Sequence, residues 1–338
     1  MISGLRQWML PVHNKLTFFV ELETPELLAL FDDPRVEDGL AQLGASLSMC
    51  MLDMSPERAE LLRRLDARGI AVTAWLVLDE ALGYWLTADN ADAALDRFYT
   101  FDSWNKHHTL AVRTIGLDVE TPRDDAIALM RHGMRALRTL LRNRRSRSHV
   151  HRAVERYAQI VDEIRRSGYV VESYQIPLIV DERAARSSLL QRALGFVDFL
   201  PDREVLMLYR SMLPELLGAG LIEAFGEEAD AIAVGITGGG VEFVRDRIAD
   251  RLLDLDTLLD ELERACRYTN ELYIFSLEGC VQSGYFEAIC QRLPEMLQRP
   301  PSARAVSDVG VAQLAQLLRA GLRLALRGEA LLDWLSKR

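Results

Sequence analysis

Cysteine is scarce in this 338-residue chain, and its four residues, Cys50, Cys266, Cys280 and Cys290, form no C-x-x-C pair. Such spacing indicates neither a zinc module nor a disulfide framework. Positive charge is also short: 40 Lys and Arg stand against 50 Asp and Glu, for a net charge of −10. An acidic balance argues against a general nucleic-acid binder and against adhesion to anionic membrane surfaces. No uninterrupted apolar run reaches the roughly 18 residues of a membrane span. The opening MISGLRQWMLPVHNKLTFFVELE has no apolar stretch of signal-peptide length, because Pro11 to Lys15 interrupt it and Glu21 follows. These absences set the expectation of a soluble, reduced, cytoplasmic protein. None of the six histidines falls at an expected strand end, which disfavours zinc or iron and leaves magnesium open.

Alternation is what the chain does have. Eight short runs rich in Val, Ile, Leu and Met read as buried strands, at 16–23, 46–53, 70–78, 111–122, 169–176, 204–209, 231–237 and 271–277. Helical pattern separates them. Thr24-Pro25-Glu26 and Ser55-Pro56-Glu57 are start signals, with Ser55 as N-cap, and Gly44, Gly69 and Gly168 are stops. Eight βα units in this length fit a (β/α)8 TIM barrel with a C-terminal helical extension, one domain over residues 1–338. A doubly wound open sheet is the alternative, but the first turn lacks a G-x-G-x-x-G phosphate loop. A long helical segment at 123–167 is broken by the basic run Arg142 to Arg152. A two-helix tail at 302–338 follows Pro300-Pro301, and one of its helices is expected to complete the barrel.

Barrels of this kind place their chemistry at the C-terminal ends of the strands. Here those ends supply Glu21, Glu23, Asp53, Asp79, Asp118, Glu120, Glu172, Tyr209, Thr237 and Glu278. A single acid in that position is most simply a helix cap or first-turn residue, which suffices for Glu23, Asp53 and Asp79. Asp118 and Glu120 are different. They precede the turn at Pro122 and, two residues apart, share one face of the fourth strand, about 6.6 Å apart along it. Burying such a pair is costly. Asp118 beside Glu120 would raise the proton affinity of Glu120 by repulsion, and burial would push the same way.

At these residues the chain resembles the family 18 chitinase-like glycoside hydrolases, (β/α)8 barrels whose fourth strand ends in D-x-x-D-x-D-x-E. Arg113-Thr-Ile-Gly116-Leu-Asp118-Val-Glu120 matches the last Asp and the Glu, and Met207-Leu-Tyr209-Arg210 matches the family's M-x-Y on strand six. Arg113 and Gly116 stand where the family has Asp, as does Arg210, and the third strand lacks the family's S-x-G-G. The resemblance implies Glu120 as general acid, Asp118 positioning the substrate's N-acetyl group, and Tyr209 assisting. Glu21, Asp53, Trp75, Glu172 and Glu278 are the candidate substrate-binding residues. Trp75, Tyr84, Trp85 and Tyr174 could serve as sugar platforms or as ordinary packing.

Two other readings stay open. A ring of carboxylates formed by Glu21, Asp118, Glu120, Glu172 and Glu278 could hold Mg²⁺ or Mn²⁺. A barrel that binds a sugar without turning it over is the second. The expected partner is thus a carbohydrate or other small molecule, with no nucleic acid, no membrane and no obligatory cofactor. The basic run Arg142 to Arg152 reads as a solvated helix junction, and Gly238-Gly239-Gly240 as a flexible loop, since no P-loop context surrounds it. Val311, Leu314, Leu318, Leu322 and Ala325, at helical spacing in the tail, read as a packed face or an oligomer contact.

Overall fold

The structure, a computed structural model, describes residues 15–213, 218–242, 245, 251–298 and 306–336. The segment before Lys15 and the Pro300-Pro301 boundary lie outside them. Strands β1 (Lys15–Val20), β2 (Ser46–Cys50), β3 (Val72–Leu76), β4 (Thr114–Asp118), β5 (Val170–Gln175), β6 (Arg203–Met207), β7 (Ala231–Gly235) and β8 (Glu271–Phe275) are all parallel. They join in sequence order, with β8 pairing back to β1, into a closed (β/α)8 TIM barrel. Each is shorter than its apolar run, because the ladder ends where the chain leaves the barrel while apolar packing continues into the loop.

Alternation along the strands divides the core in two. Phe18, Val20, Leu47, Met49, Ile115 and Leu117 pack outward under the helices. Phe19, Cys50, Trp75, Tyr174, Tyr273 and Phe275 fill the inside. At the N-terminal end of the barrel the buried Glu172 pairs with Arg203 at 2.8 Å. Arg203 also lies 3.5 Å from Glu271, which Lys15 meets at 3.5 Å.

After β1 the single expected helix is two, α1 (Thr24–Phe31) and α2 (Pro34–Leu43). The break has a cause: Asp33 accepts the Arg35 N–H at 3.0 Å as an N-cap, with Pro34 starting a new helix. α3 (Pro56–Ala67) begins as expected, Ser55 Oγ accepting the Arg58 N–H at 3.3 Å. α4 (Ala91–His107) follows β3. The long segment after β4 is three helices, α5 (Arg123–His132), α6 (Met134–Arg142) and α7 (Arg147–Arg166), divided at Gly133 (φ 48°) and at the Ser146 cap of α7. Then come α8 (Leu178–Ala185), α9 (Leu189–Leu194), α10 (Leu221–Phe225), α11 (Leu255–Ala265), α12 (Leu277–Gln282) and α13 (Tyr285–Gln298).

The tail corrects the sequence reading twice. It is one helix, α14 (Val306–Ser336), and it is not the eighth barrel helix; α13 fills that place, packed against α2 and α11. α14 lies instead over α8 and α10. Ion pairs pin it there: Asp181, fully buried on α8, receives Arg323 at 2.6 Å and Arg319 at 2.8 Å. Glu228 receives the same two arginines at 2.6 and 2.8 Å, and the Arg319 guanidinium sits 3.8 Å above the Phe225 ring. Farther along, Glu329 meets Arg192 at 3.2 Å and Arg147 at 3.4 Å. The basic run is therefore more than a solvated junction. Arg145 and His149 pair with Asp89, and Arg147 reaches the tail. Among the described residues, no helix is long and apolar enough to cross a membrane.

Candidate active site at the barrel mouth

A cavity of about 590 Å³ opens at the C-terminal end of the barrel, within the size range of ligand sites. Its floor is aromatic. Phe19, from β1, meets Tyr174 edge-on at 4.8 Å between centroids and Trp75 at 5.5 Å. Gly116 makes this floor possible: a Cβ there would lie 2.7 Å from Tyr174 Cζ, so no larger residue fits beside that ring. The Tyr174 hydroxyl crosses the barrel to Ser48 Oγ at 2.5 Å. The position that departs from the glycosidase motif thus has a packing reason.

Above the floor stand three carboxylates, Glu21 following β1 and Asp118 and Glu120 at the end of β4, with Tyr209 across from them. Glu21 is buried, and its Oε1 accepts the Tyr84 hydroxyl at 2.5 Å. Tyr84 reaches it from the loop after β3 with φ 65°, a left-handed conformation that a bulky residue rarely adopts. Burial pushes Glu21 up to about 8, against the Tyr84 hydrogen bond, and the nearby charges of Glu278 and Glu120 add to the rise.

Asp118 and Glu120 titrate as a pair. Burial is the largest cause of the rise in both. It carries Glu120 up to about 7, while Asp118 acts on Glu120 as a hydrogen-bond donor and lowers it. Asp118 itself stands well above the carboxylate range, raised by burial and then by the charges of Glu120 and Glu21. The repulsion expected to raise Glu120 is not among the causes of its rise; burial is the larger cause in both acids, and the shared proton belongs to the pair. The Trp75 indole lies near enough to favour the Asp118 anion without completing a hydrogen bond, so Asp118 Oδ1 is buried without a partner. Tyr209 is raised by burial and by the charges of Asp118, Glu120 and Glu21.

The cavity thus brings together Glu21, Trp75, Asp118, Glu120 and Tyr209. Three other sequence candidates lie elsewhere. Glu172 is in the ion pair at the opposite end of the barrel. Asp53 accepts the Thr24 hydroxyl at 2.6 Å and the Ser55 N–H at 2.9 Å and lies 3.4 Å from Arg58, a clip between the first two βα loops. Glu278 is buried beside Glu21, but its Oε1 is taken by the backbone N–H groups of Gly240 (2.9 Å) and Glu21 (3.2 Å). Gly239, with φ 82°, packs where a Cβ would strike Glu278, so the glycine run wraps a carboxylate. Among the described residues no group of three or more His, Cys, Asp or Glu side chains is arranged to hold a metal ion. Trp85 lines the cavity, as sequence allowed. The Tyr84–Glu21 bond and the cavity wall supplied by α14 were not foreseen.

No family model and no curated protein matches the chain. Among solved structures it is similar to the glycoside hydrolase domain of PgaB (BpsB) from Bordetella bronchiseptica, at 10% identity over 83% of this chain and 98% of that one, with TM-score 0.48. A GH18 chitinase from Pseudoalteromonas aurantia is similar at 9% identity, 82% and 99% coverage and TM-score 0.43. A sugar phosphate isomerase/epimerase from Parabacteroides distasonis is similar at 11% identity, 88% and 100% coverage and TM-score 0.47. Similarity of this degree specifies no activity.

Proposed function

We propose that this barrel cleaves a glycosidic bond at its mouth, with Glu120 as general acid. The observation that carries the reading is the Asp118–Glu120 pair at the end of β4, Asp118 buried and Glu120 half-buried on the wall of an open cavity, with burial holding Glu120 up to about 7. A carboxyl titrating near 7 is populated in both states at neutral pH, as general acid–base work requires. Glu120 gives its proton to the leaving oxygen as the bond to the sugar breaks, and takes one back from the water that replaces it. Asp118, with one oxygen free, orients the group beside the reacting carbon, and Tyr209 lies across the site to hold the sugar. The test is hydrolysis of an alkyl N-acetylglycoside, whose poor leaving group needs the proton. Turnover should fall in Glu120→Gln with binding retained, because the amide keeps the shape and loses the proton.

One observation favours a second reading. Glu21 and Glu120, on different strands, both titrate near neutral pH, which suits removing a proton from one face of a sugar carbon and returning it on the other. Uptake of solvent deuterium into a recovered free sugar, without bond cleavage, would select it.

A further inference from the structure

We infer that the molecule taken into this site carries an extended apolar portion, such as an alkyl or isoprenoid chain, beside the polar head that meets the carboxylates. The inference rests on the reading above for the head alone; the apolar portion is argued from the cavity wall. A site for an oligosaccharide needs hydrogen-bonding side chains along its length, since every sugar hydroxyl gives up water on binding. Here polar side chains gather at one end. Beyond Glu21, Asp118, Glu120 and Tyr209 the wall passes to Leu129 and Met130 on α5, Leu178 on α8, Met212 after β6, and Leu318 and Leu322 on α14. The charged exceptions, Asp181 and Arg319, are paired with each other at 2.8 Å and so present no free charge to a ligand.

Two further facts suit an amphipathic occupant. Asp118 Oδ1 is buried without a partner, so the deep end calls for a hydrogen-bond donor on the head. At the other end Leu318 is 51% exposed and Leu213 41% exposed, so the apolar wall continues to the surface, where a chain longer than the cavity can leave. The C-terminal helix, pinned by Asp181 and Glu228, builds part of this wall and gives the tail a role in substrate selection.

The test is binding of alkyl glycosides of one sugar with methyl, butyl, hexyl and octyl chains, below micelle-forming concentrations, by calorimetry on the Glu120→Gln protein. The matching free alkanols form a second series. Affinity should rise about fourfold per methylene in both series. Leu318→Asp, at a half-exposed position that folding tolerates, should keep its melting temperature and lose most of that increment. Affinity independent of chain length would overturn the inference, even if the wild type hydrolyses the methyl glycoside. Chain-length dependence without hydrolysis in the wild type would leave the inference standing and remove the glycosidase reading.

Discussion

Replacing Asp118 separates two accounts of why Glu120 titrates near neutral pH. If repulsion from Asp118 raised Glu120, Asp118→Asn would remove the charge and lower it. The structure assigns the rise to burial and gives Asp118 the opposite sign, as a donor to Glu120. An asparagine N–H still donates, so Asp118→Asn should leave Glu120 close to 7, whereas Asp118→Ala should raise it. A hydrogen bond to a charged group contributes about 1.5–3 kcal/mol, and 1.36 kcal/mol corresponds to one pH unit, so the alanine variant should titrate about one to two units higher. Carboxyl ¹³C chemical shifts followed against pH measure this without any substrate. In an activity assay the same change moves the alkaline limb of the profile upward, because the protonated acid survives to higher pH. A fall in the Glu120 midpoint in Asp118→Asn would refute the assignment.

Three further outcomes follow from the same geometry. Gly116→Ala should destabilise the barrel by about 1–3 kcal/mol in denaturant unfolding, since the added methyl meets the Tyr174 ring with no room to move. Asp181→Ala should cost about 1.5–3 kcal/mol by the same measurement, because Arg319 and Arg323 lose the buried one of their two shared carboxylates and keep only Glu228. Glu21 gives a pH signature: its value rises from 4.5 to about 8 on folding, so the folded state holds the proton more tightly, and stability is lost as pH climbs between those values. Glu21→Gln should therefore raise the melting temperature relative to wild type at pH 9 and change it far less at pH 4.

The barrel was legible because its signal is periodic and local. All eight apolar runs became strands, Ser55 started a helix and Gly44 ended one where their chemistry requires. The acid pair was legible for a related reason, since two carboxylates two residues apart on a strand share a face whatever surrounds them. What stayed hidden depends on partners distant in sequence. Glu172 also points into the barrel, but nothing local says that Arg203 waits at the same height on the next strand. Glu278 looks like a strand-end acid until the Gly240 backbone is seen to fold over it. The tail's apolar spacing announced a packed face, but Leu314 and Leu318 stay exposed, and Leu318 and Leu322 wall the cavity instead. The sign of the Asp118 effect needed the site as well, because it turns on the hydrogen bond between the two acids rather than on their charges alone.

The account's central claim is that Glu120 protonates a leaving glycosidic oxygen, and its most direct test varies the leaving group. Turnover of an alkyl glycoside and of an activated aryl glycoside of the same sugar is measured for the wild type and for Glu120→Gln. A poor leaving group needs the proton and a good one largely does not, so Glu120→Gln should slow the alkyl substrate by about 10²–10⁴-fold and the aryl substrate by much less. Equal losses on the two substrates, or turnover of both undiminished, would contradict it.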